Sequence, residues 1–171
     1  NGRFYQGISQ SGVDEAWAID CLSWAGKTAH SVGRTDIANA CADQIMNKFS
    51  LQNKTILVSS DKETFNLTYS SDESISGFKP YADGYDNPPQ LIWSEGTLGV
   101  AALLKAVGRQ EQAQLYIDEM IKLQNCNNST GGVLYTTETR ASLPYEFHTW
   151  ESVVGCAWLY LTLIDEDVLF I

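Results

Sequence analysis

The chain has 171 residues, enough for one domain with a real core, and its 44% apolar and 19% charged residues are those of a globular protein rather than a disordered one. Acidic residues outnumber basic ones 21 to 11, and the formal net charge of −10 excludes nucleic acid and anionic membrane as expected partners, because both require basic patches. Neither a signal peptide nor a transmembrane run is legible within it.

In chain order, residues 1–12 are polar and glycine-rich and read as a loop or short extended lead-in, anchored by Phe4 and Tyr5. Residues 13–32 predict a long helix whose apolar members, among them Val13, Trp17, Ile19, Leu22 and Trp24, cover most of its circumference, with Gly33 as the stop. Residues 34–49 predict a different kind of helix. There Ile37, Ala38, Cys41, Ile45 and Phe49 form one stripe while Asp36, Asn39, Asp43 and Lys48 sit opposite. The pair reads as an inner helix followed by an outer one.

Next come residues 55–58 and 64–69, a predicted strand pair around the polar turn Ser60-Asp61-Lys62, and then the turn-rich aromatic stretch from Tyr81 to Asn87. The inner–outer pattern repeats after Pro88 and Pro89. Residues 91–107 predict an apolar helix closed by Gly108, and residues 109–124 an amphipathic one with Ala113, Ile117, Met120 and Ile121 as its stripe. Residues 125–146 form a second long loop around Gly131-Gly132, read as a plain turn signal, and residues 147–164 predict a third apolar helix with no outer mate. Alternation of buried and half-buried helices at this period marks an array of helical hairpins. The expectation is a single all-α domain over residues 1–171, with short β-hairpin excursions in the loops.

If the three inner helices run parallel, their N-terminal ends meet at one rim. Each start couples a tryptophan to a carboxylate: Trp17 with Asp20, Trp93 with Glu95, and Trp150 with Glu151. Glu95 and Glu151 are expected in first helical turns, where the helix dipole and capping favour acids without further cause. Asp20 is expected deeper along an apolar helix, where a carboxylate needs a partner or a cavity. A rim of carboxylates and flat aromatic faces suits glycoside chemistry, in which one carboxylic acid protonates the leaving oxygen and another activates water or attacks. Asp20, Glu95 and Glu151 are the catalytic candidates. Trp17, Tyr81, Asp83, Tyr85, Trp93, His148 and Trp150 are the candidate sugar contacts.

Other chemistry has less support. Two histidines without a tight His/Cys/Asp grouping argue against structural zinc. Asp83 and Asp86 could hold calcium with loop carbonyls but lack EF-hand spacing, so no metal and no cofactor is expected. Cys21, Cys41, Cys126 and Cys156 contain no Cys-x-x-Cys pair; free buried thiols are expected, with disulfides left open. Sequons at Asn53, Asn66, Asn127 and Asn128 carry meaning only in a secreted eukaryotic protein.

Three segments carry a resemblance: Asp20-Cys21-Leu22-Ser23-Trp24-Ala25, Trp93-Ser94-Glu95-Gly96-Thr97 and Gly155-Cys156-Ala157-Trp158. Together they resemble the C-terminal part of bacterial six-hairpin (α/α)-toroid proteins, a superfamily dominated by glycoside hydrolases. The resemblance runs from about Asp14 onward and implies a partial toroid of about two and a half hairpins. It also implies an oligo- or polysaccharide partner and favours a secreted or cell-surface location over the cytoplasm. A complete toroid has six hairpins, so the resemblance implies a fragment lacking an N-terminal half, a homodimer burying the open edge, or a small divergent fold. The alternative function is a non-catalytic carbohydrate-binding or protein-assembly module on the same helices.

Overall fold

The computed structural model describes residues 2–57, 73–82, 87–126, 131–140 and 146–164. Strands β1 (Gly7–Ser9) and β2 (Gly12–Asp14) form a small exposed hairpin ahead of helices α1 (Ile19–Ser31) and α2 (Thr35–Lys48). Strands β3 (Ser50–Thr55) and β4 (Ser74–Phe78) pair antiparallel. Helices α3 (Ser94–Ala106), α4 (Gln110–Asn125) and α5 (Val153–Ile164) complete the described elements.

The two helical hairpins share one turn device. Both α1 and α3 end in the tripeptide Val-Gly-Arg, with Gly33 at φ 78° and Gly108 at φ 81°. Glycine takes this left-handed conformation without steric cost, and the turn then satisfies carbonyls that the helix end leaves open. Arg34 N–H donates to Ala29 O at 2.8 Å, and Arg109 N–H donates to Leu104 O at the same distance. The second arginine also ties the hairpins together, because its guanidinium reaches Asn39 Oδ1 at 3.0 Å and Asp43 at 2.7 Å.

Small residues let the inner helices approach. A Cβ placed on Gly26 of α1 would lie 3.0 Å from both Cys41 of α2 and Leu103 of α3. Ile19 faces Gly96 and Ser23 faces Gly99, so α1 and α3 run parallel. Ser94 faces Gly155, and Lys105 Nζ donates to Thr162 O at 2.6 Å, so α5 runs parallel to α3 as well. The core lies between these helices and the β3–β4 pair, around Ile19, Leu22, Phe78, Leu98, Leu103 and Met120. One face is left open by the described residues. Helix α5 contains no charged residue, and Val153, Tyr160, Leu163 and Ile164 on it are exposed.

The expectation of an all-α toroid-type fold is corrected. About half of the described residues are helical and about a fifth extended, in five helices and two two-stranded antiparallel sheets, a mixed α/β arrangement. The physical reason lies in the segments ahead of the inner helices. Their apolar runs look helical, but the pieces next to the helices, such as Ala18, Leu91, Ile92, Trp93 and Phe147, are buried non-helical chain, which periodicity cannot separate from a buried helix. Ala18 and Trp93, the residues before α1 and α3, have ψ of 135° and 116° and bridge to Tyr81 and Thr136. Phe147 bridges to Arg140, and Glu151 to Leu134. Helices predicted from residues 13, 91 and 147 therefore begin at Ile19, Ser94 and Val153.

The strand expectation is also corrected in part. The strand ends at Thr55 rather than starting there, and its described partner is β4, whose Ile75 and Phe78 are fully buried. Residues 64–69 lie outside the described residues. Asn53 sits at the bulge in β3 with φ 52°, a left-handed position that Asn tolerates better than most side chains.

Candidate functional site

The starts of α1, α3 and α5 meet at one rim because the extended segments knit them together. Ile19 N–H donates to Pro80 O, Ser94 N–H to Tyr135 O, and Ser152 N–H to Val133 O. Tyr135 N–H donates in turn to Trp150 O. Thr137 pins the arrangement from beneath: its hydroxyl accepts from Ile92 N–H at 3.0 Å in the core. The rim opens into a cavity of about 590 Å³. Glu95, Tyr135, Glu146, His148, Trp150 and Glu151 line it, with Ser152, Val153 and Val154 at the α5 end.

Glu95 occupies the first turn of α3 and is half-buried. Burial raises its pKa above the ordinary carboxylate range, and the negative charge of Asp20 pushes it further the same way. Tyr135 is raised as well, first by burial and then by the charge of Glu95, with the Trp93 indole opposing and Asp20 adding a smaller push. Asp20 itself lies in the first turn of α1 and accepts from Cys21 N–H at 2.9 Å. It stands outside the cavity lining, and its charge reaches both Glu95 and Tyr135.

Glu151 is held differently from the expectation. It lies in the extended segment before α5, where its Oε1 accepts from Gly132 N–H at 3.1 Å. A Cβ on Gly132 would fall 2.7 Å from Cδ of Glu151 and 3.0 Å from its Cβ and Cγ. Gly132 thus supplies both the donor and the room, a role beyond the turn signal read from sequence. Substituting Gly132→Ala should displace the Glu151 carboxylate from the cavity wall while costing about 1 kcal/mol of stability or less. Equal ligand affinity in the two proteins, measured by calorimetry, would show that Glu151 plays no part in binding.

The aromatic candidates separate into three groups. His148 and Trp150 line the cavity, stacked with ring centroids 4.0 Å apart and planes 10° apart. Trp93 belongs to the wall behind: its ring meets Tyr135 and Phe147 edge-on at 6.3 and 6.2 Å, and it is buried. Trp17 is covered by cations instead of facing the cavity, with Arg3 4.9 Å and Lys48 4.7 Å from its ring. Tyr81 is half-buried and bridges to Ala18. Asp83 and Tyr85, along with Asp86, lie outside the described residues, as do the sequons at Asn66, Asn127 and Asn128.

Tyr135, Glu146 and Gly132 are site residues that sequence reasoning passed over. Their signal was the loop's length, which is unusual unless the loop lines something. Among the described residues no cluster of three or more His, Cys, Asp or Glu side chains could hold a metal ion. All four cysteines are free. Burial is the leading cause that pushes the Cys21 and Cys41 thiols up to about 11, which leaves them poor nucleophiles. No described helix is long and apolar enough to cross a membrane. The chain matches no family model, no curated protein and no solved structure.

Proposed function

We propose that the chain is a carbohydrate-active protein that hydrolyses a glycosidic bond at this cavity, with Glu95 as the proton donor and Asp20 as the second carboxylate. The observation that carries the reading is the half-buried Glu95 in the wall of an aromatic-lined cavity, with Asp20 outside that lining but near enough for its charge to act on Glu95. A carboxyl group whose proton is held above the ordinary range can protonate a leaving oxygen near neutral pH. A neighbouring negative charge is what a developing oxocarbenium ion requires. The stacked His148–Trp150 pair offers the flat apolar surface on which a sugar ring packs.

The first test is the melting temperature against a panel of oligosaccharides, followed by product analysis on whichever sugar binds. A ligand specific for the folded state raises the melting temperature by mass action. A shift of several degrees with one sugar class, accompanied by cleavage products, is the expected result. No shift across the panel overturns the reading.

A second reading, assembly through contact with a second copy, is favoured by the uncharged outer face of α5. The net charge of −10 opposes self-association elsewhere on the surface but not across this face. A monomeric mass in solution at high concentration disposes of it.

A further inference from the structure

We propose that the stacked indoles of Trp24 and Trp158 form a second saccharide-binding surface one helical turn below the rim, so that the ligand is a chain of several sugar units rather than a single sugar. The inference rests on the carbohydrate reading and adds the length of the ligand and the place where its far end lies. The three inner helices keep one register. Asp20, Glu95 and Val154 are the second residues of α1, α3 and α5, and Trp24, Gly99 and Trp158 are the sixth. Residues four apart share a helix face and lie about 6 Å apart along the axis. Trp24 therefore follows Asp20 down α1, and Trp158 follows Val154, a residue of the cavity wall, down α5. The two rings meet with centroids 6.3 Å and planes 11° apart. Gly99 lies beneath them, where a Cβ would come 3.6 Å from Trp24 Nε1.

This pair is not simply core. Trp24 keeps 44% of its surface exposed, and Trp158 is half-buried. Large flat apolar surface left in water beside a polar cavity marks a place where something binds. Val154 lines the cavity and is itself exposed, which makes the indole surface continuous with it. The surface is separate from the outer stripe of α5, because Trp158 lies about 140° round the helix from Val153, on whose side Tyr160 and Ile164 stand. Its occupant must also suit the acids one turn above. An apolar protein segment laid on the indoles would bring its neighbouring side chains against the Asp20 and Glu95 carboxyl groups, which would lose water without gaining donors. A saccharide chain answers both demands. Its C–H faces pack on the rings, and its hydroxyls donate to carboxylates within the same unit or the next. Asp20, outside the cavity lining, then faces the stretch of chain between the cavity and the indoles.

The test is a ladder of linear oligomers of glucose, mannose, galactose and N-acetylglucosamine, two to five units long, titrated by calorimetry into the parent protein, Trp24→Ala and Trp24→Phe. Within the class that binds, affinity for the parent should rise about tenfold between the shortest and the longest oligomer. Trp24→Ala should remove that rise and leave the disaccharide affinity unchanged, which also shows that the variant is folded. Trp24→Phe, which keeps a flat ring, should restore most of it. A parent affinity that does not grow with length overturns the second surface, as does a rise that survives in Trp24→Ala. Equal loss for short and long oligomers in Trp24→Ala overturns it too, because Trp24 then acts through the fold and not through contact. In those three cases the carbohydrate reading stands. If no oligomer of any class binds, that reading falls and the inference with it.

Discussion

Replacing Glu95 by glutamine should lower turnover about a thousandfold while leaving oligosaccharide affinity within a few-fold of the parent, because general acid catalysis contributes roughly 10²–10⁴. The same substitution should change stability with a sign that identifies the cause. Glu95 has a folded-state pKa above its unfolded value, so the folded protein binds the proton more tightly. Stability from this group is therefore complete below the ordinary carboxylate range and is lost as pH rises through the raised value. Glutamine cannot ionise and escapes that loss. The variant should match the parent in acid and melt about 2 °C higher at neutral pH, a small gain because the half-exposed carboxyl is partly screened by solvent. A pH-independent difference in melting temperature would mean that burial is not what perturbs Glu95. Unchanged turnover in both Glu95→Gln and Asp20→Asn would remove these residues from the chemistry.

A large loss of stability is expected at Gly26. It stands where α1 crosses α2 and α3 together, and a Cβ added to it would lie only 3.0 Å from Cys41 Cβ and from both terminal methyls of Leu103. Cys41 and Leu103 are fully buried, so neither can retreat into solvent. Gly26→Val should cost about 3 kcal/mol, at the upper end of what overpacking a core exacts, despite the better helix propensity of valine. Gly99 is the internal control. A Cβ there meets nothing closer than 3.4 Å, so Gly99→Ala should be neutral or mildly stabilising in a urea titration. Equal effects at the two glycines would show that helix propensity, rather than the crossing, governs this interface.

The amphipathic outer helices were the most legible part of the fold, because a single stripe such as Ala113, Ile117 and Met120 repeats at the helical period and all three are buried. The inner helices were legible in number and position but not in extent. The residues just ahead of α1 and α5 are non-helical chain held by bridges at Ala18, Phe147 and Glu151, and apolar residues there such as Ala18 and Phe147 reflect burial rather than helix. That shift exchanged the reasoning on two acids. Asp20, expected well inside a helix, lies in a first turn, and Glu151, expected in a first turn, lies outside any helix and relies on a loop amide. Glu95 kept both its place and its interest. Tryptophans could not be sorted by type alone: Trp150 lines the cavity, Trp93 builds its back wall and Trp17 lies under two cations. What separates them is the neighbour each ring meets across the chain, and sequence spacing carries no such information.

Helices α1 and α5 are joined above α3 by an aromatic contact, the near-parallel stack of Trp24 on Trp158 at 6.3 Å. Two indoles so close share their electronic excitation, so the pair is a built-in optical reporter of whether the first and last described helices remain seated side by side. Near-ultraviolet circular dichroism should lose this signal when α5 lifts away, even while the far-ultraviolet helical signal of the two hairpins persists. The stack thus distinguishes loosening of one helix from collapse of the whole domain, without any label being attached.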